Sequence, residues 1–187
     1  MSGVLDTTRQ HGRAREHLAA VAVRLISERG YEATTVEDIA AAADYSPRTF
    51  FRQFASKEDA VFFDLPDILR PLQALLEPGA EPAYARVTAI VMDNAGAWDD
   101  RGRTQLFHDE PALYRRFLEF AEEWERVIAE VLAAERGTDA ATDPRAQTLA
   151  SAVVGACRAS FRTWLASGTG TAADHLAAAL AELGAIA

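Results

Sequence analysis

The feature that most limits the fold is the short interval between two helix signals near residue 46. An apolar stripe at helical spacing over 36–43 predicts a brief helix. Ser46 followed by Pro47 predicts the start of another, because serine caps helix N-termini and proline fits the first helical position. Only Asp44 and Tyr45 lie between the two. Two short helices joined by so tight a turn predict a helix-turn-helix unit.

A longer helix precedes this unit and supports it. Apolar residues recur at helical spacing over 11–29 and predict that helix. Thr34, with Glu37 three residues later, fits a capping box and predicts where the second helix begins. In the third helix Phe50 and Phe54 lie four residues apart on one face, so we expect both to pack against the first two helices.

The remainder of the chain also shows helical periodicity. Further helices are predicted over 57–76, 81–98, a short piece around 106–107, 111–136, 144–167 and 172–186. Pro66 and Pro71 are expected to bend or break the first of these. Alternation typical of strands does not occur over any useful length. The sequence therefore predicts an all-α fold of about nine helices.

Charge is distributed unevenly along the chain. A net charge of -9 opposes nucleic-acid binding, because phosphate contacts need local positive charge. Residues 1–54 are neutral, however, with seven arginines and seven acids, and residues 55–187 carry the whole of the -9. Arg48 and Arg52 lie on the outer face of the third helix, in a stretch without an acid. Such a face suits the major groove of DNA.

Other classes of protein lack support in the sequence. We find no Gly-rich phosphate loop, nucleophile elbow or paired catalytic motif, so we predict neither an enzyme nor a cofactor. His108, Asp109 and Glu110 are adjacent and would point in different directions, so we predict no metal site. The lone Cys157 is expected to be a packing residue rather than a redox sensor.

The expected location is the cytoplasm. No run of about 18 apolar residues indicates a membrane span. The N-terminal stretch lacks the apolar core of a signal peptide, and a single cysteine cannot form an internal disulfide.

The stretch from about Arg13 to Phe63 contains a set of spaced residues: Gly30-Tyr31, Thr34-Thr35-Val36, Ile39-Ala40, Ser46, Thr49-Phe50-Phe51, Phe54 and Lys57-Glu58. With these residues at this spacing, the stretch resembles the TetR family of bacterial transcriptional regulators, in which they stand at the positions of the family's motif. The chain departs from the family at Asp44, which replaces a glycine but tolerates the left-handed conformation. Phe51 replaces a tyrosine whose hydroxyl contacts phosphate in many members. The sequence is also similar to the actinobacterial group with an acyl-CoA-like effector domain.

The resemblance implies two domains and a set of DNA contacts. A DNA-binding domain would span 11–71, with its helix-turn-helix at about 34–53, and an effector-binding and dimerisation domain would span 72–187. The residues expected to face bases or phosphates are Thr35, Ser46, Pro47, Arg48, Thr49, Phe51, Arg52 and Lys57. Read alone, Arg48 and Arg52 would be ordinary solvated charges; within this motif we favour contact with DNA.

An effector cavity among the middle helices is also implied by the resemblance. Its candidate lining is Phe62, Trp98, Phe107, Tyr114, Phe117, Phe120 and Trp124, each of which could equally be plain core. Pockets for small molecules are mostly apolar with few polar groups, so we expect an apolar or weakly polar effector.

The final two helices are expected to pair with those of a second subunit. Their recurring apolar residues are Leu149, Val153, Cys157, Phe161, Trp164, Leu176, Ala179, Leu180 and Leu183, with small residues at Ala152, Gly155, Ala156 and Ala159. We thus expect a homodimeric repressor that a small effector releases from a palindromic operator. The sequence leaves open activation instead of repression, and a helical ligand-binding protein or enzyme that merely retains a helix-turn-helix.

Overall fold

The computed structural model describes residues 2–77 and 79–186, and describes side chains from residue 12 onward except at 66, 68, 69, 185 and 186. Every regular element in these residues is helical, which confirms the all-α prediction. The α-helices are α1 Ser2–Arg29, α2 Val36–Ala42, α3 Pro47–Gln53, α4 Lys57–Val61, α5 Leu65–Ala74, α6 Ala83–Asp93, α7 Arg101–Asp109, α8 Pro111–Arg136, α9 Pro144–Ser167 and α10 Ala172–Ile186. A 3₁₀ turn, Ala95–Trp98, lies between α6 and α7. None of the described helices is long and apolar enough to cross a membrane.

Two predicted helices are divided in the structure, so the described residues form ten α-helices and one 3₁₀ turn instead of the expected nine helices. The segment 57–76 ends its first helix at Val61 and begins a second at Leu65. Pro66 lies in the first turn of α5, where a missing N–H costs nothing, and Pro71 is accommodated inside that helix. The segment 81–98 likewise ends its α-helix at Asp93 and continues as the 3₁₀ turn.

The start of α2 differs from the prediction by one residue. Thr35, not Thr34, is the N-cap: its Oγ1 accepts from the Asp38 N–H at 3.1 Å, and Asp38 Oδ2 accepts from the Thr35 N–H at 3.0 Å. Thr34 is fully buried, and its hydroxyl bonds the carbonyl oxygen of Gly30 at 2.8 Å. The prediction of a Thr34–Glu37 capping box was wrong because Thr34 bonds the end of α1 instead.

The turn between α2 and α3 follows the sequence signals. Asp44 has φ 58°, the left-handed conformation that its short polar side chain tolerates. Ser46 caps α3, and its Oγ accepts from the Thr49 N–H at 3.2 Å. Phe50 is fully buried and Phe54 nearly so, as predicted.

The apolar residues form two main cores that meet at α4. The first core joins α1 to α4 through Leu18, Ala19, Val21, Ala22, Leu25, Ile39, Ala40, Ala43, Phe50, Phe54 and Ala60. Val61, Phe62 and Leu65 belong instead to the larger second core, which α5 to α10 build. The predicted domain boundary after residue 71 falls inside α5.

Helices α9 and α10 bury more of their apolar residues within the chain than we expected. Val153, Cys157, Phe161, Trp164 and Leu176 are each at most 7% exposed. The proposal that these five face a second subunit is therefore wrong, because they pack against their own chain.

Small residues of α9 remain at the surface. Gly155 is exposed, and Ala152, Ala156 and Ala159 are partly exposed. A Cβ placed on Gly155 would meet no atom within 4 Å, so this part of α9 is open.

Candidate nucleic-acid interface and effector cavity

The outer face of α3 carries the predicted DNA-contacting residues. Ser46, Pro47, Arg48 and Arg52 are all exposed. Phe51 is 56% exposed although it lies beside the fully buried Phe50. Single exposed apolar side chains are common on protein surfaces, so the contact of Phe51 with DNA stays a prediction.

The charged groups of this face are those of Arg48 and Arg52. Across the described residues neither Arg48 nor Arg52 forms an ion pair or a side-chain hydrogen bond. Thr49 is half-buried, and its hydroxyl lies 3.0 Å from Ser46 Oγ. The helix therefore presents two free guanidinium groups on a scaffold that its own cap and Phe50 hold in place.

Thr35 is exposed, but its hydroxyl is already bonded. It lies 2.6 Å from Asp38 Oδ2 and donates to that carboxylate. The hydroxyl, followed by the backbone N–H of Thr35, lowers the pKa of Asp38. A phosphate contact by Thr35 stays a prediction.

Lys57 is bound to the loop that follows α1. Its Nζ donates to the carbonyl oxygens of Tyr31 and Thr34 at 2.6 and 2.9 Å. The same ammonium lies 3.7 Å from the centre of the Tyr31 ring, a cation–π contact. The structure gives Lys57 a role in fixing α4 to the N-terminal helices, and its predicted phosphate contact also stays a prediction.

Arginines hold the short segment between α4 and α5 from both sides, which the sequence analysis did not foresee. From α1, Arg15 donates to the Phe63 carbonyl oxygen at 2.9 Å. From α7, Arg103 forms a bidentate ion pair with Asp64 and lies over the rings of Phe63 and Trp98, at 5.7 and 5.9 Å. These contacts join residues distant in sequence, so no local pattern predicts them.

A second ion pair connects α8 to α4, just before the segment between α4 and α5. Arg116 of α8 bonds Asp59 of α4 at 2.7 Å and Glu119 of its own helix at 2.6 Å. Burial opposes the charged form of Arg116, but the bonds to Glu119 and Asp59 outweigh it and raise the pKa of the guanidinium. The four N-terminal helices are thus attached to α7 and α8 through charged groups.

An apolar cavity lies in the second core between α5, α6, α8, α9 and α10. Its volume is about 20 Å³, and its walls are Leu72, Val91, Asn94, Trp98, Trp124, Ile128, Val153, Val154, Cys157, Phe161 and Leu176. A space of this size accommodates about one water molecule. Burial raises the pKa of the Cys157 thiol to about 12, so this wall carries no thiolate at neutral pH.

Two of the seven predicted pocket residues, Trp98 and Trp124, line this cavity. The other five form a continuous aromatic cluster, which Trp98 contacts through Phe107 and Phe117. Phe107 and Phe117 stack at 5.0 Å, and Phe62 contacts both at 5.5 and 6.4 Å. The sequence identified the aromatic residues, but it could not distinguish those that line the cavity from those that pack in the core.

The cavity residues that the prediction missed come mostly from α9 and α10. Their apolar spacing was visible in the sequence, but it was attributed to a subunit interface. Val153, Cys157 and Phe161 instead face α8 across the cavity. Burial inside the chain and burial between chains give the same periodic signal, so periodicity alone could not decide.

Metal binding finds no geometric support in the described residues, where no three histidine, cysteine or acidic side chains come together. His108 lies in the last turn of α7, and its ring stacks on Phe107 at 5.1 Å.

An exposed recognition helix after a tight turn, joined to a helical core that encloses an apolar cavity, defines a helix-turn-helix regulator with a separate effector region. Residues 18–61 match the family described as bacterial regulatory proteins, tetR family. Residues 83–186, more than half of the chain, match the MftR C-terminal domain. The chain belongs to the TetR family of transcriptional regulators.

Individual relatives agree with this membership. The chain is 33% identical over 165 residues to the HTH-type transcriptional regulator TcmR of Streptomyces glaucescens, covering 81% of this chain and 73% of that one. It is 28% identical over 176 residues to MftR of Mycobacterium tuberculosis, named for the regulation of mycofactocin biosynthesis, covering 90% and 88%. Among solved structures, the SmeT–triclosan complex has the same fold, with a TM-score of 0.66 at 12% identity over 91% of both chains.

Proposed function

We propose that this TetR-family regulator is a homodimeric repressor that leaves a palindromic operator when an apolar or weakly polar effector enters the cavity between α5 and α10. The observation that carries the proposal is the physical connection between the two sites. Trp98 is both a wall of the cavity and a contact of Arg103, which binds Asp64 in the segment between α4 and α5. The relatives' names support a transcriptional role, with TcmR and MftR named as regulators.

DNA recognition is assigned to the outer face of α3. Arg48 and Arg52 are exposed and form no ion pair with the residues that the structure describes, so they are available to bases or phosphates. Arginine can form two hydrogen bonds to a guanine edge in the major groove. We assign Ser46, Thr49 and Phe51 to the surroundings of these contacts, and Phe51 to apolar contact with a base methyl or the sugar backbone.

Effector binding must enlarge the cavity. A volume of about 20 Å³ is far below the roughly 300 Å³ or more of a small-molecule site. Interiors are packed densely, so a ligand that enters must move whole side chains or helices. The SmeT–triclosan complex supports a small aromatic molecule as one that this fold accommodates.

The movement would reach the DNA-binding helices through Arg103. Displacement of Trp98 alters the position of the guanidinium that lies 5.9 Å from its ring. Arg103 then carries Asp64 with it, and Arg15 connects the neighbouring Phe63 to α1. A ligand shifts such an equilibrium only through its different affinity for the two arrangements, which here differ in cavity volume.

The dimer contact is assigned to the exposed small residues of α9, with Leu180 and Leu183 of α10. Gly155, with Ala152 and Ala159 one turn to either side, allows a second helix to approach closely. A two-fold dimer reads two half-sites separated by one helical turn of DNA or a multiple of it.

Selection from random duplexes, repeated with candidate metabolites, tests the function. We expect enrichment of a palindrome and its loss with an apolar compound but not with hydrophilic polyanions. Trp124→Phe should change the response to the compound and leave operator affinity intact. Failure to enrich any sequence, with turnover of a bound compound, would favour a ligand-binding protein or enzyme that keeps the helix-turn-helix without regulation.

A further inference from the structure

A group of polar side chains lies beside the aromatic wall of the cavity and has no assigned role. Arg158 of α9 donates from its terminal nitrogen to the Tyr114 hydroxyl oxygen of α8 at 3.1 Å. The ring of His108, at the end of α7, lies 5.5 Å from the Tyr114 ring. Three helices thus bring a guanidinium, a phenol and an imidazole together around one residue, Tyr114.

Two nitrogens of this group are buried without a partner. Arg158 Nε and His108 Nε2 each have almost no solvent-accessible surface and no hydrogen-bond partner in the described residues. Buried donors without an acceptor are rare in protein interiors. Both nitrogens need an acceptor when the His108 ring carries its proton on Nε2, and a ligand oxygen is one.

The charge around the group is positive. Within the described part of the chain Arg158 forms no ion pair. Burial, together with Arg162 and Arg158, lowers the pKa of His108 against the opposing influence of Asp109. The guanidinium is therefore a half-buried cation whose counter-charge the protein does not supply.

The group is continuous with the cavity. Arg158 lies one turn from Val154 on one side and Phe161 on the other, and both of these line the cavity. Phe161 contacts Phe107 and Phe117 at 6.4 and 6.1 Å, and these rings separate the cavity from His108 and Tyr114. An elongated molecule that parted these rings would reach from the cavity to Arg158.

We propose that Arg158, Tyr114 and His108 bind the carboxylate of an amphipathic effector whose apolar body occupies the cavity. The inference rests on the proposed function, since it assigns a chemical class to the same effector. Arg158 supplies a fork of N–H donors that matches a carboxylate, and charge-assisted bonds of this kind are the strong ones. Tyr114 and neutral His108 add one donor each.

Two matched pairs of probes test the carboxylate: decanoate against decanamide, and benzoate against benzamide. Within each pair the body is the same, and only the charge of the head differs. Calorimetry and the fluorescence of the protein's tryptophans measure binding without DNA. We expect the acid to bind about tenfold or more tighter than its amide in at least one pair, as a charge-assisted hydrogen bond would give.

Substitutions test whether Arg158 is the residue that makes the acid bind more tightly than the amide. R158Q keeps a donor for Tyr114 but removes the charge, and it should reduce the preference to about twofold or less. R145Q, at an exposed arginine near the start of the same helix, should retain the preference and serves as the control. Thermal unfolding of both variants checks that the fold is intact, and R158K should restore part of the preference.

Three outcomes would overturn the inference: no probe binds, acid and amide bind equally to the unmodified protein, or R158Q keeps the preference. Release of operator DNA is measured separately. Acid binding through Arg158 without release would contradict the proposed regulation and leave the carboxylate site standing. Release of the DNA by a neutral apolar compound, with no preference for the acid, would support the proposed regulation and contradict the carboxylate site.

Discussion

The DNA-binding helices and the effector helices use their side chains in opposite directions. In α1 to α4 the residues proposed to contact DNA face outward, and caps and a small core hold the helices beneath them. In α5 to α10 the residues proposed to surround the effector face inward, where they also form the core. Recognition in the first region can therefore change without loss of stability, whereas ligand selectivity in the second is inseparable from packing.

The two regions meet at α4 and the segment that follows it. Asp59 and Asp64 bind arginines of α8 and α7, and Arg15 of α1 binds the Phe63 carbonyl oxygen. The connection is made by partly buried charges, which have directional bonds and few alternative arrangements. Apolar contact alone would allow the two regions to slide.

The largest effect on stability is expected for Phe50, which is buried, in contrast to its exposed neighbour Phe51. Phe50→Ala should lower the free energy of unfolding by about 3–5 kcal/mol, because it leaves a cavity in the first core. Phe51→Ala should change it by no more than about 0.5 kcal/mol, since that ring is 56% exposed. Denaturant unfolding measures both. Equal losses would contradict the assignment of Phe51 to the surface.

Loss of the ion pair between Arg103 and Asp64 should have the next largest effect. Arg103→Met leaves Asp64, whose side chain is 25% exposed, without its partner, at a cost of about 2–3 kcal/mol. It should also weaken effector-induced release while operator affinity in the absence of effector stays near normal. Arg126→Met is the matched control, because its ion pair with Glu130 is exposed and worth roughly 1 kcal/mol or less. Unimpaired release in Arg103→Met would remove this arginine from the coupling.

Loss of a recognition arginine should affect binding rather than folding. Arg48→Ala is expected to weaken operator binding by about 1–3 kcal/mol and random-duplex binding by less, because base contacts specify and phosphate contacts position. Arg24→Ala, which removes an exposed arginine of α1 paired with Glu28, is the control. Fluorescence anisotropy with both duplexes measures the difference. A uniform loss on the two duplexes would mean that Arg48 contacts only phosphate.

Substitution of Gly155 should affect the stability of the chain and the association of the dimer in opposite directions. Gly155→Leu should stabilise α9 by roughly 0.5–1 kcal/mol, because glycine is a poor helix former and its Cβ position is open. If the α9 helices of two subunits approach closely, the larger leucine side chain should weaken association of the dimer. Sedimentation at micromolar concentration checks this, with Ala166→Leu, at an exposed position near the end of α9, as control. A dimer that withstands the larger side chain would place the subunit contact elsewhere.

The smallest expected effect concerns acid pH at the cap of α2. The Thr35 hydroxyl and then its N–H lower the pKa of Asp38 in the folded chain. The stabilisation is thus complete above the unfolded value of about 3.9 and is lost as the pH falls through the folded value. NMR titration of the Asp38 carboxyl in the unmodified chain and in Thr35→Val measures it. Identical titration curves would show that the hydroxyl contributes nothing.

How far the sequence predicted the molecule depends on the range of the interactions. The N-cap at Ser46, the left-handed Asp44 and the buried Phe50 were all predicted, because each depends on residues within a few positions. The cap of α2 was misplaced by one residue because two threonines are adjacent and only contact with α1 distinguishes them.

The sequence by itself determined that this chain is helical, where most helices begin and end, and that α3 carries free arginines on an apolar scaffold. Caps, proline positions and apolar period are local properties, so they can be read along the chain. Only the tertiary structure decided which apolar faces of α9 turn inward, that Trp98 and Trp124 border a space, and that Arg103 holds Asp64. These depend on the mutual placement of helices, where residues 39 positions apart come into contact, and a local pattern carries no information about distances across the fold.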